Sequence, residues 1–181
     1  MNRILKLTVL GILLGVSVAC AEEAVKSDKA EKMPPPYVGS AELQKIKSLA
    51  GKWEGPSPDM PNGKIILDYK VTSNGSVVVE TILPGTPMEM ISVYRDNKDG
   101  RLAMTHYCAM ANQPEMVLQN PGAEKMSLEL DPNSIKAGEP HMHHLNILIK
   151  DANHMEQSWQ CSPDGKTTKE STSILTRVVG I

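Results

Sequence analysis

From Gly51 to the C-terminus, apolar and polar positions alternate with a period of two, and turn-forming pairs break the alternation at short intervals. Asn62-Gly63, Asn74-Gly75, Pro84-Gly85, Asp99-Gly100, Pro121-Gly122, Asp151 to Asn153 and Asp164-Gly165 mark the breaks. Asn-Gly and Asp-Gly supply the positive φ that tight hairpins need. The runs between them cover roughly residues 53–55, 65–72, 77–83, 88–95, 102–110, 116–119, 126–130, 143–150, 155–161 and 168–178. This makes nine or ten strands. No interval is long or periodic enough for a crossover helix, so consecutive strands are expected to pair antiparallel as a meander. The expected fold is therefore all-β, an antiparallel up-and-down barrel, lipocalin-like, with a short N-terminal helix closing one end. An immunoglobulin-like sandwich is the alternative, weakened by the lack of Cys-Trp-Cys spacing.

That helix is read from Ser40 as N-cap, Leu43, Ile46 and Leu49 at i, i+3 and i+6, and Gly51 as its stop. Trp53 is expected to pack against the stripe. Within the strands, parity assigns faces. Leu102, Met104, His106, Cys108 and Met110 share one side of their run, so His106 and Cys108 are expected inside the barrel. His141, His143, Leu145, Ile147 and Ile149 form a second inward set, Met155, Trp159 and Cys161 a third, and Ile65, Leu67, Tyr69 and Val71 a fourth. Residues 77–83 are apolar on both sides and have no readable face.

Ahead of the domain the pattern is of another kind. Asn2, Arg3 and Lys6 form a short basic start, and residues 7–19 are apolar apart from Thr8 and Ser17. Such a run is shorter than the roughly 20 residues of a spanning helix and reads as an export signal over residues 1–20. Two cleavage readings compete. Ser17-Val18-Ala19-Cys20 resembles a lipobox and would lipidate Cys20, while Ala19-Cys20-Ala21 also suits ordinary signal cleavage; the lipoprotein reading is preferred. Residues 21–40 have no apolar period and are expected to be a flexible tether, leaving 41–181 as one domain. Ala21 after the cysteine would send a lipoprotein to the outer membrane of the periplasm.

Composition narrows the functional classes. With 181 residues, 40% hydrophobic and 22% charged, the chain fits one folded domain rather than a disordered or multi-spanning one. A net charge of -2 offers no basic footprint for nucleic acid. There is no GxSxG elbow, GxGxxG, P-loop, HExxH or Cys-x-x-Cys, which lowers the standing of an enzyme, and no catalytic residues are assigned. Cys108 and His106 stand about 7 Å apart on one strand face, too far for an activated thiol pair unless both lean inward. The 11 methionines in a chain without phenylalanine read mostly as core and pocket lining.

A metal reading draws on His106-x-Cys108 and His141-x-His143, each placing two ligands on one strand face; together these four could hold Zn or Cu. Cys108 and Cys161 also invite a disulfide in an oxidising compartment, although their strands are well separated in a meander.

Four segments taken in order carry a resemblance: Leu49-Ala50-Gly51-Lys52-Trp53-Glu54-Gly55, Thr105-His106-Tyr107-Cys108, Asn112-Gln113-Pro114-Glu115-Met116 and His141-Met142-His143. The chain resembles an uncharacterised family of exported bacterial small β-barrel proteins, lipocalin-like, that carry LAGxWxG, THYC, NQPxM and HMH. It departs from that pattern at Ala111 and Glu115, where Gly and Arg are expected. The resemblance implies the barrel and names no substrate.

The leading function is thus an exported barrel lipoprotein holding a small apolar or amphipathic ligand. Its expected ligand-binding residues are His106, Cys108, Met104, His143, Tyr69 and Trp159. The alternatives are a metal or haem-type protein using His106, Cys108, His141 and His143, and an envelope structural or interaction lipoprotein. Oligomeric state is left open.

Overall fold

The computed structural model describes residues 33–179. The export signal, Cys20 and most of the tether lie outside these residues. One short helix precedes ten strands: α1 (Ala41–Ser48), β1 (Gly51–Pro56), β2 (Lys64–Thr72), β3 (Val77–Ile82), β4 (Met90–Asp96), β5 (Leu102–Tyr107), β6 (Glu115–Leu118), β7 (Lys125–Leu130), β8 (His141–Ile149), β9 (His154–Ser162) and β10 (Lys169–Arg177). Every strand pairs antiparallel with the next, and β1 pairs with β10 to close the barrel. Closure is narrow, carried by Trp53 opposite Arg177 and Glu54 opposite Thr176, and extended by the Val178 amide donating to the Lys52 carbonyl at 2.8 Å. All ten expected runs form strands, with ends shifted by a few residues.

Alternation sets the interior as the period-two pattern requires. Leu67 and Tyr69 point in from β2, Val78, Glu80 and Ile82 from β3, Ser92 and Tyr94 from β4, and Leu102, Met104 and His106 from β5. Met116, Leu118, Met126, Leu128, Leu145, Ile147, Met155 and Leu175 complete a continuous core. Val71, placed with the inward set by parity, is exposed near the end of β2.

The helix forms as its caps dictate. Ser40 is extended and its hydroxyl accepts from the Leu43 amide at 3.0 Å, while Gly51 leaves the helix at φ 115°, a value side chains resist. Leu43, Ile46, Leu49 and Trp53 are fully buried together, and the Trp53 indole donates to the Leu49 carbonyl at 2.7 Å. Outside them the Arg177 guanidinium lies 4.3 Å from the Trp53 ring and donates to the carbonyls of Ser48, Ala50 and Ala152. The helix thus seals the barrel end that carries the β2–β3, β4–β5, β6–β7 and β8–β9 hairpins, held there by Lys45 on the Ala123 carbonyl and by Glu42 on the Gly122 amide.

The compact unit begins at Pro35, earlier than the expected boundary at residue 41. Tyr37 is bound by the Asn74 carbonyl and by Asp96, and Asp96 also accepts from both the Ser40 amide and the Ser40 hydroxyl. The last residues of the expected tether are therefore part of the domain edge. Their sequence lacks apolar period because polar groups, rather than a buried stripe, hold them.

Candidate functional site

The barrel interior contains a carboxylate. Glu80 is wholly buried, and its oxygens accept from Tyr69 Oη at 2.7 Å, Tyr94 Oη at 2.7 Å and Gln157 Nε2 at 2.8 Å. Ser92 also favours its ionised form. Burial pushes the Glu80 carboxyl above its ordinary range, and these donors pull it back toward the ionised form. Both phenols are driven well above their ordinary range by burial and then by the adjacent carboxylate. They remain neutral donors at physiological pH.

From this group a chain of contacts leads toward the end opposite the helix. Ser92 Oγ lies 3.0 Å from His106 Nδ1. If Nδ1 donates to the serine, Nε2 carries a lone pair, and if it accepts from the serine, Nε2 carries an N–H. His106 Nε2 is buried and has no partner. The His106 ring meets the Trp159 indole with centroids 4.9 Å apart. Desolvation lowers the His106 pKa to about 4, so the imidazole is neutral.

Trp159 belongs to a second tier. At the end formed by the β1–β2, β3–β4, β5–β6, β7–β8 and β9–β10 hairpins, Ile65, Leu83, Met90, Met142 and Trp159 are only partly buried against the core. The hairpins there expose Met60, Met88 and Met110. Above a polar floor the barrel thus carries an apolar, methionine-rich rim, an arrangement suited to a molecule with an apolar body and one polar group.

The expected site residues divide. His106, Tyr69 and Trp159 come together in this interior chain, with Gln157 joining Tyr69 to Glu80, while Met104 is fully buried as core beside them. Cys108 was expected on the inward face of a longer strand. Instead β5 ends at Tyr107, and Cys108 starts a turn in which its amide donates to the Asn112 carbonyl at 3.0 Å. Cys108 and Cys161 are both free thiols, half-buried, so the disulfide is absent from the structure.

His143 does not share the space of His106. The register shifts between Met142 and His144, so that Met142 pairs with Cys161 and packs on the core, while His141 pairs with Ser162. One extra residue in β8 separates the parity of His141 from that of Leu145 and Ile147, which alternation alone had joined. His141 and His143 contact each other instead, Nε2 to Nδ1 at 3.3 Å. The four-ligand set of His106, Cys108, His141 and His143 accordingly does not assemble, and among the described residues no three histidine, cysteine or acidic side chains converge on one point. His144 faces outward against Glu129 at 2.7 Å and Ser127 at 3.3 Å.

A separate shallow groove of about 410 Å³ lies between β1, β2 and β10, lined by Glu54, Pro56, Asn62, Lys64 and Thr176. It contains none of the expected site residues. Glu80 and Ser92 were missed by sequence reasoning. The available signal was that Glu80 has the parity of Val78 and Ile82 in a run otherwise apolar on both faces.

With this geometry in place, comparison adds the fold. No protein-family model and no curated protein matches the chain. Among solved structures, the chain is similar to Rv2717c from M. tuberculosis at 15% identity and a TM-score of 0.50, covering 78% of this chain and 100% of that one. The likeness is one of fold.

Proposed function

We propose that this protein is an exported binding barrel that holds a small apolar or amphipathic molecule at the barrel end opposite α1, with His106 Nε2 as its polar anchor. The observation that carries the reading is a fully buried imidazole with one nitrogen committed to Ser92 and the other unpartnered, directly beneath a half-buried tryptophan. A buried polar atom left unpaired costs about 1–3 kcal/mol, which a hydrogen bond with a polar group of the ligand would recover. Trp159, Met90 and Met142 supply apolar contact for the rest of the molecule, and Tyr69, Tyr94, Glu80 and Gln157 fix the floor from below. The same reading has the protein anchored in the periplasm, at the outer membrane, through a lipidated Cys20; mass spectrometry of the mature N-terminus should find that modification, and an unmodified chain would remove the anchor.

Native mass spectrometry of the protein purified from periplasm tests the binding reading. The expected spectrum contains the chain plus one organic molecule, and His106→Phe loses that molecule while keeping the barrel's circular dichroism. A bare chain, together with unchanged tryptophan fluorescence on titration with medium-chain alcohols, phenols and fatty acids, would overturn it.

A further inference from the structure

The bulge in β8 creates a second constellation that the binding reading does not use. His141 is almost wholly buried, and its Nδ1 lies 2.8 Å from the Glu139 carbonyl oxygen. A carbonyl can only accept, so Nδ1 carries the proton and Nε2 presents a lone pair. Metal-ligating histidines are commonly held in this way, with the other ring N–H tied to a backbone carbonyl.

That Nε2 lies 3.3 Å from His143 Nδ1, with the two ring centroids 5.5 Å apart and the planes tilted by 51°. Two nitrogens bound at about 2.0–2.1 Å to a tetrahedral ion are separated by about 3.3 Å, the same spacing. His143 is half-exposed, so one side of the pair is open to solvent. An unused acceptor occupies the same corner of the barrel: Asn112 Nδ2 donates to the carbonyl of Pro140, the neighbour of His141, at 2.6 Å, and Asn112 Oδ1 is buried without a partner. The corner is held firmly. Gly165 packs backbone to backbone on Gly138, leaving no room for a side chain between the β7–β8 and β9–β10 loops.

We infer that His141 Nε2 and His143 Nδ1 chelate one divalent transition-metal ion of the Zn²⁺, Ni²⁺ or Cu²⁺ class at the start of β8, with solvent completing its coordination. On binding, His143 changes tautomer: solvent carries the proton from Nδ1 to the ring's other nitrogen, so that Nδ1 presents a lone pair to the ion and the imidazole stays neutral. Imidazole donors favour borderline ions over Mg²⁺ or Ca²⁺, so selectivity is part of the claim.

The test is equilibrium dialysis of the untagged, EDTA-stripped protein against Zn²⁺ and Cu²⁺ separately, with Ca²⁺ as comparison. One equivalent of Zn²⁺ or Cu²⁺ and none of Ca²⁺ is expected. His143→Ala should weaken binding at least tenfold with an unchanged thermal midpoint, and His143→Gln serves if the alanine variant fails to fold. His154→Ala, which removes an exposed imidazole held by Asp151, should leave binding as it is. In long-range ¹⁵N NMR of the histidines, Zn²⁺ should shift His141 and His143 and leave His106 in place. Absence of a stoichiometric equivalent, binding indifferent to His143, or shifts centred on His106 would each overturn the site. Absence of a stoichiometric equivalent, or binding indifferent to His143, would leave the organic-ligand reading at His106 untouched.

Discussion

The two ends of this barrel are built from the same strands and differ in how completely they satisfy their polar groups. At the α1 end, Trp53 is fully buried, its indole is bonded to Leu49, and Arg177 covers it while donating to three carbonyls. At the other end Trp159 is half-buried, it lies against an imidazole with an orphan nitrogen, and both thiols are free. The first end is closed by saturation of its contacts. The second keeps apolar surface and hydrogen-bonding capacity in reserve, which is what a binding site needs before its ligand arrives. On the proposed binding reading, stability and function are separated along the barrel axis.

The contrast between the two tryptophans should give the largest effect. Trp53→Ala deletes a side chain buried among Leu43, Ile46 and Leu49 and should cost about 3–5 kcal/mol. Trp159→Ala removes a partly exposed ring and should cost no more than about 2 kcal/mol, while abolishing ligand retention. Urea midpoints measured on the two variants decide this. Equal losses would mean that both ends are structural and that the reserve at the second end is illusory.

Glu80 comes next, since it lies between the two ends and organises the floor of the site. Glu80→Leu strands the hydroxyls of Tyr69 and Tyr94 and leaves the Gln157 amide only the Tyr69 oxygen, and the two orphaned donors should cost at least about 2 kcal/mol together. Tyr69→Phe removes one of those donors and should cost about 1 kcal/mol. Thermal unfolding of both variants checks the ratio, and a Glu80→Leu barrel as stable as the parent would show that the network is not holding the interior.

How much of this was legible in the sequence depends on what each residue's neighbours do. Leu102, Met104 and His106 announce an inward face because their partners alternate without interruption, and the structure places all three inside. Leu43, Ile46 and Leu49 announce the helix and its buried stripe for the same reason, with Ser40 and Gly51 fixing its limits. Glu80 is hidden because the valines and isoleucine around it are apolar on both sides of the strand. At His141-Met142-His143-His144 the alternation of Leu145, Ile147 and Ile149 extends back without a visible break, so the extra residue of the bulge leaves no trace in the sequence, and the faces of His141 and His143 follow from backbone hydrogen bonding instead. The pairing of His106 with Trp159 joins strands four places apart in the barrel order and is a property of closure, which parity does not reach.

Acid should separate the ends as well. His106 is lowered from an ordinary 6.5 to about 4 by burial, so the unfolded chain binds its proton first as pH falls. Stability from this group is complete above about pH 6.5 and is lost as pH falls toward 4, by up to about 3 kcal/mol. Glu80 acts in the opposite sense: its carboxyl is raised, so its ionisation disfavours the folded state above the ordinary carboxyl value and acidification relieves that cost. His106→Phe should therefore flatten the loss between pH 6.5 and 4 while leaving the Glu80 contribution intact. Urea titrations of parent and variant at pH 7, 5.5 and 4.5 read the difference directly, and parallel curves would place His106 in contact with water.

The smallest effect concerns the two thiols beside the rim. Burial raises the pKa of Cys108 and of Cys161, and for Cys161 the neighbouring Cys108 raises it further. The nucleophile in alkylation is the thiolate, so a raised pKa and partial burial both slow the reaction. At pH 7.5 each cysteine should react with iodoacetamide several-fold more slowly than a small free thiol, and the rate should still be climbing above pH 9. Peptide mapping after timed quenching assigns the two rates. A ligand seated over Trp159 should slow Cys161, two residues along β9, whereas among the described residues the α1 end offers no thiol to respond. Rates as fast as the free thiol, unchanged by ligand, would mean that the rim is open to water throughout and that the apolar tier above His106 does not form a site.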